Sequence, residues 1–266
     1  MRNSSDGIKT SVTLIMPVLN EAQTLQKVGE SLKSAVLICR DRYQFEIVFV
    51  DNGSTDGSLQ LLESIQQLFS QFSINVTLIE EQHKGKGNAV RRGIKISRGA
   101  IVVIIDADDE YDLSELNSLL GAYELEQCKL LLGSRHLDIF SARSFIGAPF
   151  LSRYFNVGHW MFTKFFNNVF RTDLTDPATM WKLMCGETVR EFNLIGNGFE
   201  LDWELVAYFA RSGTIPFEYP VAYKSRTLKE GKKIRPIRDP LKWLFWIPYF
   251  KLRRHYMDVR KDFSRE

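Results

Sequence analysis

The sequence predicts an α/β protein whose mostly parallel sheet is flanked by helices. Short apolar runs rich in β-branched residues recur along the first half, helical stretches separate them, and polar clusters follow them. Strands buried on both faces read as continuous apolar runs, which is typical of parallel sheets covered by helices. With 266 residues, 44% hydrophobic and 25% charged, the chain has the composition of a globular protein and a length sufficient for one large domain or two small ones.

Strands and helices alternate through the first half. The predicted strands cover residues 12–18, 45–50, 76–79, 101–105 and 129–133. Four helices are predicted: residues 21–38, a helix that begins after Asp56, a helix that follows HKGKGN and ends at about residue 97, and residues 113–126. Asp56 is placed to cap the second of these helices. Because parallel strands present their carboxyl ends at one edge of a sheet, we expect four polar clusters to gather there: PVLNE, DNGSTDG, HKGKGN and DADDEY.

The second half is less regular. Helical patterns cover residues 148–170, rich in Phe and Trp, and 199–213, where Gly213 is placed to end the helix. Residues 215–223 predict a strand pair or hairpin, and Pro248 is expected to break or kink any helix in the aromatic tail.

Charge is distributed unevenly along the chain. The net charge is +3, but residues 223–266 contain 14 Lys and Arg against 5 Asp and Glu, a net of +9, which leaves −6 for the remainder. A basic, aromatic-rich segment on an acidic body indicates an anionic partner such as a phosphate or a lipid surface. The aromatic segments 148–170 and 242–254 would suit a membrane interface. The alternative is that their aromatic rings pack against the sheet.

Other sequence features point to a cytoplasmic protein, peripheral on a membrane at most. The three cysteines are widely spaced, which predicts a reducing compartment without a disulfide framework. The four histidines lack the spacing of a zinc site. We find no signal peptide and no apolar run long enough to span a membrane.

The stretch IVVIIDADDEY places carboxylates directly after a buried strand. Asp106 and Asp108 are two residues apart, so in an extended segment both side chains point to the same side. Hard divalent cations such as Mg²⁺ and Mn²⁺ prefer oxygen ligands, and a cation would offset the repulsion between the two groups. The alternative is a solvated acidic loop that caps the next helix.

Two glycine-containing loops offer contacts to a nucleotide. Asp51 ends the second strand, where a carboxylate could accept a hydrogen bond from a base or a ribose, although a tight turn would explain DNGSTDG equally well. In HKGKGN, Gly85 and Gly87 would allow a ligand close to the backbone, and Lys84 and Lys86 would offset phosphate charge. This loop matches neither the P-loop nor the dinucleotide pattern.

Five segments occur in the order and approximate spacing of one enzyme family: SVTLIMPVLNEAQTL, FEIVFVDNGSTDGS, HKGKGNAVRRGI, IVVIIDADDEY and LLLGSRH. The chain resembles the family 2 glycosyltransferases of the GT-A fold, over roughly residues 12–238. The segments TDPATMWKLM, GFELDWELVAYFARSG and YPVAYKSRTLKEGKKI are similar to the subset that contains dolichyl-phosphate mannose synthase and bacterial polyprenyl-phosphate glycosyltransferases. This implies a GT-A domain over residues 1–240, with a nucleotide-binding half (12–135) and an acceptor half (136–240), and a basic aromatic segment at 241–266.

The resemblance implies roles for individual residues. A divalent ion, Mg²⁺ or Mn²⁺, would bind Asp106 and Asp108, and Arg135 would lie near the phosphates. Asn52 stands where the family usually has a second aspartate. The nucleotide would contact Pro17, Leu19, Glu21, Asp51, Gly85, Lys86, Gly87, Asp106 and Ala107.

The implied reaction is metal-dependent, inverting sugar transfer from a UDP- or GDP-linked sugar. A polyprenyl phosphate is the expected acceptor, and Arg226, Lys232 and Lys233 match a basic loop that closes over the phosphates. The alternative acceptor is a sugar hydroxyl in a cell-surface glycan, for which Asp202 would be the base. Two further alternatives are a non-catalytic nucleotide-binding domain and a sugar-phosphate nucleotidyltransferase, whose Gly-rich first loop is absent from PVLNEAQT. Nucleic acid is not an expected partner.

Overall fold

The computed structural model describes residues 9–137, 149–226, 238–254 and 256–257. Its strands form one seven-stranded sheet in the order β3-β2-β1-β4-β6-β5-β7. The strands are β1 (Thr10–Val18), β2 (Tyr43–Asp51), β3 (Asn75–Glu80), β4 (Ile101–Ile104), β5 (Leu130–Ser134), β6 (Lys182–Cys185) and β7 (Phe217–Pro220). Because four of the six strand pairs are parallel, the predicted mostly parallel sheet is confirmed.

Helices occupy most of the intervals between the described strands. They are α1 (Ala22–Cys39), α2 (Ser58–Ser70), α3 (Lys86–Ile96), α4 (Leu116–Leu125), α5 (Pro149–Phe170), α6 (Gly186–Arg190), α7 (Glu200–Arg211) and α8 (Arg238–Leu252), with a 3-10 turn at Leu113–Glu115. Helix α1 packs against α2 and α4, whereas α7 packs against α3, α5 and α8. None of the helices in the described ranges is long and apolar enough to cross a bilayer.

The strand register places the predicted polar loops at one edge of the sheet. Val18, the last residue of β1, pairs with Asp51, the last residue of β2. On the other side of β1, Ile15 pairs with Ile104, the last residue of β4. The loops that follow β1, β2 and β4 therefore start close together in space at one edge of the sheet, as the sequence predicts.

Asp56 does more than the sequence predicts. Its Oδ1 accepts a hydrogen bond from the Ser58 N–H, at the start of α2, and its Oδ2 accepts one from the Ala22 N–H, at the start of α1, both at 3.0 Å. The first N–H groups of a helix have no acceptor within the helix. One carboxylate therefore accepts a hydrogen bond from the first N–H of two helices.

Two parts of the second half differ from the prediction. Strand β6, which the pattern analysis missed, pairs antiparallel with both β4 and β5 and so separates them. Residues 215–223 form no hairpin, because β7 is a single strand that pairs in parallel with β5. A strand as short as β6, with three of its four residues buried, gives too brief a pattern for periodicity to distinguish it from a helix segment.

Helix α8 continues through Pro248, so the break that was one of the two expected outcomes does not occur. Proline there removes one backbone donor, so packing must compensate. Ile247 and Phe250 are fully buried, and the Phe250 carbonyl accepts a hydrogen bond of 2.6 Å from the Arg211 guanidinium. The C-terminal aromatic segment is thus attached to α7 by one face.

Candidate active site

A cavity of about 820 Å³ opens at the carboxyl edge of the sheet. This volume lies within the range of small-molecule sites. Among its lining residues, those from the loops after β1 and β4 are joined to Lys86 and Arg226 by ion pairs, and we call this group the charged end of the cavity. The aromatic and aliphatic lining residues come mainly from α5, α7 and α8, where ring contacts join Phe162, Trp203 and Trp243, and we call this group the apolar end.

The first carboxylate of the DADDEY stretch is paired with a lysine. Lys86 Nζ lies 2.8 Å from Asp106 Oδ1, and both side chains are largely buried. Burial alone would lower the pKa of Lys86, but the charges of Asp106, Asp202 and Asp108 outweigh it and raise the pKa above its usual value. The Lys86 side chain is therefore positively charged at neutral pH.

The guanidinium of Arg226 forms ion pairs with three further carboxylates. Its guanidinium lies 2.8 Å from Glu21, 3.2 Å from Asp108 and 3.8 Å from Glu110, and its backbone N–H donates to Glu110 at 2.7 Å. Burial, together with Asp106 and Glu110, raises the pKa of Asp108 to about 7, although Arg226 and Lys86 oppose the rise. The carboxylates after β4 tolerate one another here because two cations from the chain lie among them.

The loop after β2 is held by its own side chains. Asp51 Oδ2 accepts hydrogen bonds from the N–H groups of Gly53 and Ser54, both at 3.0 Å. Asp51 Oδ1 is buried and has no hydrogen-bond partner among the described residues. Asn52 donates a hydrogen bond to the His83 carbonyl at 2.8 Å and accepts one from the Gly85 N–H at 2.6 Å, so its side-chain amide holds the HKGKGN loop in place.

The two glycines of HKGKGN allow a close contact within the chain that the sequence did not predict. A Cβ at Gly85 would lie 2.1 Å from the Asn197 carbonyl oxygen, and one at Gly87 would lie 2.3 Å from the Gly196 carbonyl oxygen. Gly85 also has a φ of +128°, which other residues rarely adopt. The close approach is therefore to residues 196–197 of the chain itself. Gly85 lines the cavity as well, whereas Gly87 does not.

Arg135 forms a buried pair with Asp176. Its guanidinium donates to both carboxylate oxygens, at 2.6 and 2.7 Å, and its backbone N–H donates to the same group at 3.1 Å. Burial would raise the pKa of Asp176, but Arg135 and His159 outweigh it and hold the pKa well below its usual range. Arg135 lines the cavity with its charge already committed to this carboxylate.

Asp202 on α7 interacts electrostatically with Lys182 on β6, which lies outside the cavity lining. Asp202 lines the cavity, and burial raises its pKa to about 6 against the opposing charges of Lys86 and Lys182. Lys182 is fully buried and donates to the Thr179 carbonyl. Burial lowers the pKa of Lys182 to about 8, although Asp202 and Asp176 favour its charged form.

The cavity gathers most of the residues predicted from sequence. Asp51 and Gly87 do not line it, and Lys232 and Lys233 lie outside the described residues. The predicted residues that line it are Pro17, Leu19, Glu21, Gly85, Lys86, Asp106, Ala107, Asp108, Arg135, Asp202 and Arg226. Sequence reasoning assigned no role to Glu110, Asp176 or Lys182. Glu110 lies in the DADDEY run, and the other two lie in TDPATMWKLM, which was used only for the family resemblance.

The sequence analysis also did not predict which aromatic and aliphatic side chains line the cavity. Its apolar end is lined by Tyr154, Phe155, Val157, Met161, Phe162, Met180, Phe199, Trp203 and Trp243. Phe162 and Trp243 meet edge to face at 5.4 Å, which joins α5 to α8 beside the cavity.

Two groups of side chains have ligand types that suit a metal. Asp106 and Asp108 both line the cavity and offer only carboxylate oxygens, which fit Mg²⁺ or Mn²⁺. His136, His159 and Asp176 also lie within 4.8 Å of one another. The bidentate hold of Arg135 on Asp176 disfavours a cation there, because the same oxygens already face a positive charge.

The model of glycosyl transferase family 2 matches residues 13–177. Because this covers more than half of the chain, the protein belongs to that family, and it is a glycosyltransferase. The match includes β1 to β5 and the carboxylate end of the cavity. The family resemblance read from the sequence is therefore confirmed.

Similar proteins support the subset as well. The chain is 28% identical to the dolichyl-phosphate beta-glucosyltransferase of Dictyostelium discoideum over 257 residues, which are 90% of this chain and 73% of that protein. It is 25% identical to the dolichol-phosphate mannosyltransferase of Pyrococcus furiosus over 238 residues, which are 87% of this chain and 64% of that protein.

Solved structures agree with the fold. Mannosyl-3-phosphoglycerate synthase from Rubrobacter xylanophilus superposes with a TM-score of 0.63 at 18% identity, covering 92% of this chain and 74% of that one. Glucosyl-3-phosphoglycerate synthase from Mycobacterium tuberculosis, in complex with Mn²⁺, UDP-glucose and phosphoglyceric acid, gives 0.60 at 17% identity, covering 91% and 80%. At these identities the likeness shows the fold alone.

Proposed function

We propose that this glycosyltransferase moves a sugar, with inversion and with the help of Mg²⁺ or Mn²⁺, from a UDP- or GDP-linked sugar to a polyprenyl phosphate. The observation that carries the proposal is the division of one cavity into a charged end and an aromatic, apolar end. The charged end suits a nucleoside diphosphate, and the apolar end suits the first units of a lipid chain. The two curated relatives are both named for transfer to dolichyl phosphate.

The charged end has groups for each part of the donor. Asp51 does not line the cavity itself, but its neighbour Asn52 does. The buried Asp51 Oδ1 lacks a hydrogen-bond partner among the described residues, and a base N–H that reached it would supply one. Lys86 and Arg226 are cations whose partners are the same carboxylates that would hold the metal, so both are placed to turn toward the diphosphate. Arg135, whose guanidinium is bound to Asp176, would lie near the phosphates. Lys232 and Lys233 would supply further positive charge for them.

Asp106 and Asp108 would hold the cation. Their oxygen ligands fit Mg²⁺ or Mn²⁺, and Asp108, with a pKa raised to about 7, would be fully ionised only once a positive charge approached. The bound ion would offset the negative charge that builds on the departing diphosphate. Inversion follows from a single displacement at the anomeric carbon, for which the chain needs no nucleophile of its own.

A polyprenyl phosphate acceptor needs little from the protein besides position. Its oxygen is already ionised, so no strong base is required. Its phosphate would be attracted by Arg153, which also lines the cavity, and its chain would lie against α5 and α8. Because such a lipid resides in a membrane, we place the enzyme at the cytoplasmic face of a bilayer as a peripheral protein.

The test is a screen for nucleoside diphosphate release. Common sugar nucleotides are offered with undecaprenyl phosphate, with and without Mn²⁺, and the lipid product is identified by mass spectrometry. We expect release with at least one donor, dependent on both the cation and the lipid. If neither UDP nor GDP binds, with or without Mn²⁺, the chain is a non-catalytic domain and the proposal fails.

Asp202 supports a second candidate, transfer to a sugar hydroxyl. It lines the cavity, and a pKa of about 6 suits a carboxylate that takes a proton near neutral pH. Replacing it, in Asp202→Asn, separates the two candidates. Loss of almost all turnover favours the hydroxyl acceptor, and a substantial remaining rate favours the phosphate acceptor.

A further inference from the structure

The outer faces of α5 and α8 carry most of the large apolar side chains that the described part of the chain exposes. Nine of its fourteen exposed large hydrophobic residues lie on these two helices. On α5 they are Tyr154, Val157, Trp160 and Met161, and on α8 they are Leu241, Leu244, Phe245, Tyr249 and Leu252. The other five are scattered over other elements, as is normal for a protein surface.

Both sets form a continuous stripe along their helix. Residues 154, 157 and 161 follow the spacing of one helical face, and so do residues 241, 245, 249 and 252. The opposite face of α8 packs against the body through the buried Ile247 and Phe250. The exposed stripe is therefore a second apolar face, which the described residues of the chain leave uncovered.

The charges around these stripes are almost all positive. Asp239 is the only acidic residue among residues 152–170 and 238–254. The exposed cations there are Arg153, Lys164, Arg238, Lys242, Lys251 and Arg254. Apolar and aromatic side chains ringed by Lys and Arg match the anionic headgroup region of a bilayer, where rings sink to the boundary and cations stay among the phosphates.

The stripes also border the cavity. Tyr154, Val157 and Met161 on α5, and Pro240 and Trp243 on α8, line its apolar end. A surface pressed against these helices would thus lie next to the end of the cavity that we assign to the lipid chain.

We propose that the exposed faces of α5 and α8 are a docking surface for an anionic lipid bilayer. The proposal deepens the proposed function, on which it rests for the choice of a lipid partner, and it names the surface through which a membrane-bound acceptor would reach the cavity. A protein partner or a second copy of the chain would require a matching acidic or apolar face.

The test is flotation of the full chain with vesicles of phosphatidylcholine, alone or with phosphatidylglycerol. We expect binding to the anionic vesicles that weakens with salt. The Leu241→Ser/Phe245→Ser variant and Trp160→Ser should each bind several-fold less, with about a tenfold loss for the double variant. Lys242→Gln should lose about fivefold on anionic vesicles only. None of these four residues lines the cavity.

The matched control is Leu125→Ser/Ile215→Ser, which removes two apolar side chains of equal or greater exposure on other elements. It should bind vesicles like the unaltered chain. All variants should transfer sugar at the same rate to a short, water-soluble prenyl phosphate.

Equal losses in the control and the α8 variant would overturn the proposal, as would absence of vesicle binding by the unaltered chain. So would a dimer that the α8 substitutions dissociate in the absence of lipid. Vesicle binding without any donor binding would instead leave the docking surface standing and refute the proposed function.

Discussion

In residues 10–134 the polar groups of the cavity come from loops that follow neighbouring parallel strands, whereas in residues 149–257 they are held by partners far away in the sequence. Glu21 and Asp106 follow β1 and β4 directly, so the strand register alone brings them together. Arg226, by contrast, reaches Glu21 across 205 residues. Glu21, Asp106, Asp108 and Glu110 belong to the first region, whereas Asp202, Arg226 and most of the apolar lining belong to the second.

The first region thus positions four carboxylates and pairs one of them, Asp106, with its own Lys86, whereas the second region supplies Arg226, the counter-charge of the other three. Three carboxylates converge on one guanidinium, and Asp106 pairs with Lys86, which is itself near Asp202 of α7. The charged end is thus complete only when the two regions are docked. Substitutions in each region should therefore have different consequences.

The largest effect on stability should come from the pair that joins the two regions. Asp176→Asn leaves the buried guanidinium of Arg135 without its counter-charge, and we expect a loss of about 3 to 5 kcal/mol in the free energy of unfolding. Urea denaturation at pH 7 measures it. The control is Arg42→Gln, which breaks an exposed pair with Glu124 and should cost about 1 kcal/mol or less.

The pH dependence sharpens this prediction. Because the pKa of Asp176 is held well below its usual range in the folded chain, its stabilisation is fully present above an unfolded-state pKa of about 3.9 and is lost as the pH falls further. The unaltered protein should lose stability in acid more steeply than Asp176→Asn. Parallel curves for the two proteins would contradict the assignment of this pair.

The next effect tests the charged end of the first region. Asp108→Asn should lower kcat/KM for sugar transfer by about 10²- to 10³-fold while leaving the fold intact, because it removes one of the two carboxylates assigned to the cation. Asp109→Asn is the control, since Asp109 pairs with the exposed Lys27 and Asn tolerates its positive φ of 59°. Comparable losses in the two variants would show that charge in the loop, rather than the site, matters.

A third effect tests the contact between the regions at the HKGKGN loop. Gly87→Ala should destabilise the protein by about 3 kcal/mol, since its Cβ would overlap backbone atoms of residues 196–197 that cannot rotate away. The control is Gly121→Ala in α4, where a Cβ meets nothing within 4 Å. That change should stabilise by about 0.4 to 1 kcal/mol. Equal thermal unfolding of the two variants would mean that the loops are not in contact.

The sequence predicts the first region well because its signals are local. Each strand is a short apolar run, each loop follows its strand directly, and parallel pairing then places Asp106 and Asp108 beside Glu21 without further information. The glycines of HKGKGN were predicted to allow a ligand close to the backbone, and this stays a prediction. Their close contact with residues 196–197 was not predicted, because the sequence does not show that these residues lie across from them.

The second region could not be predicted to the same depth because its site depends on pairs distant in sequence. Strand β6 is four residues long, and no pattern within it reveals antiparallel partners on both sides. The pairing of Asp176 with Arg135 depends on that placement. Pro248 predicted a break in α8 because propensity describes an isolated helix, whereas buried Ile247 and Phe250 hold the real one.

The smallest effect has the opposite sign and concerns Asp202. A carboxyl with a raised pKa binds its proton more tightly when folded, so it favours folding below about pH 3.9, and this contribution is lost as the pH rises to about 6. Above that pH, ionised Asp202 costs roughly 2 to 3 kcal/mol, because one unit of pKa corresponds to about 1.4 kcal/mol. Asp202→Asn should therefore be more stable than the unaltered chain at pH 7 and about equal to it at pH 4.

Urea midpoints at the two pH values measure this difference. The control is Asp173→Asn at an exposed position, which should change the free energy of unfolding by about 0.5 kcal/mol or less at both pH values. The gain at pH 7 would mean that burial of Asp202 outweighs the attraction of Lys86 and Lys182, as expected of a carboxylate kept at the cavity for a reason other than stability. A loss at pH 7 would mean that the two lysines need its charge more than burial opposes it. Asp202 would then be a structural counter-ion of Lys182 rather than a candidate base.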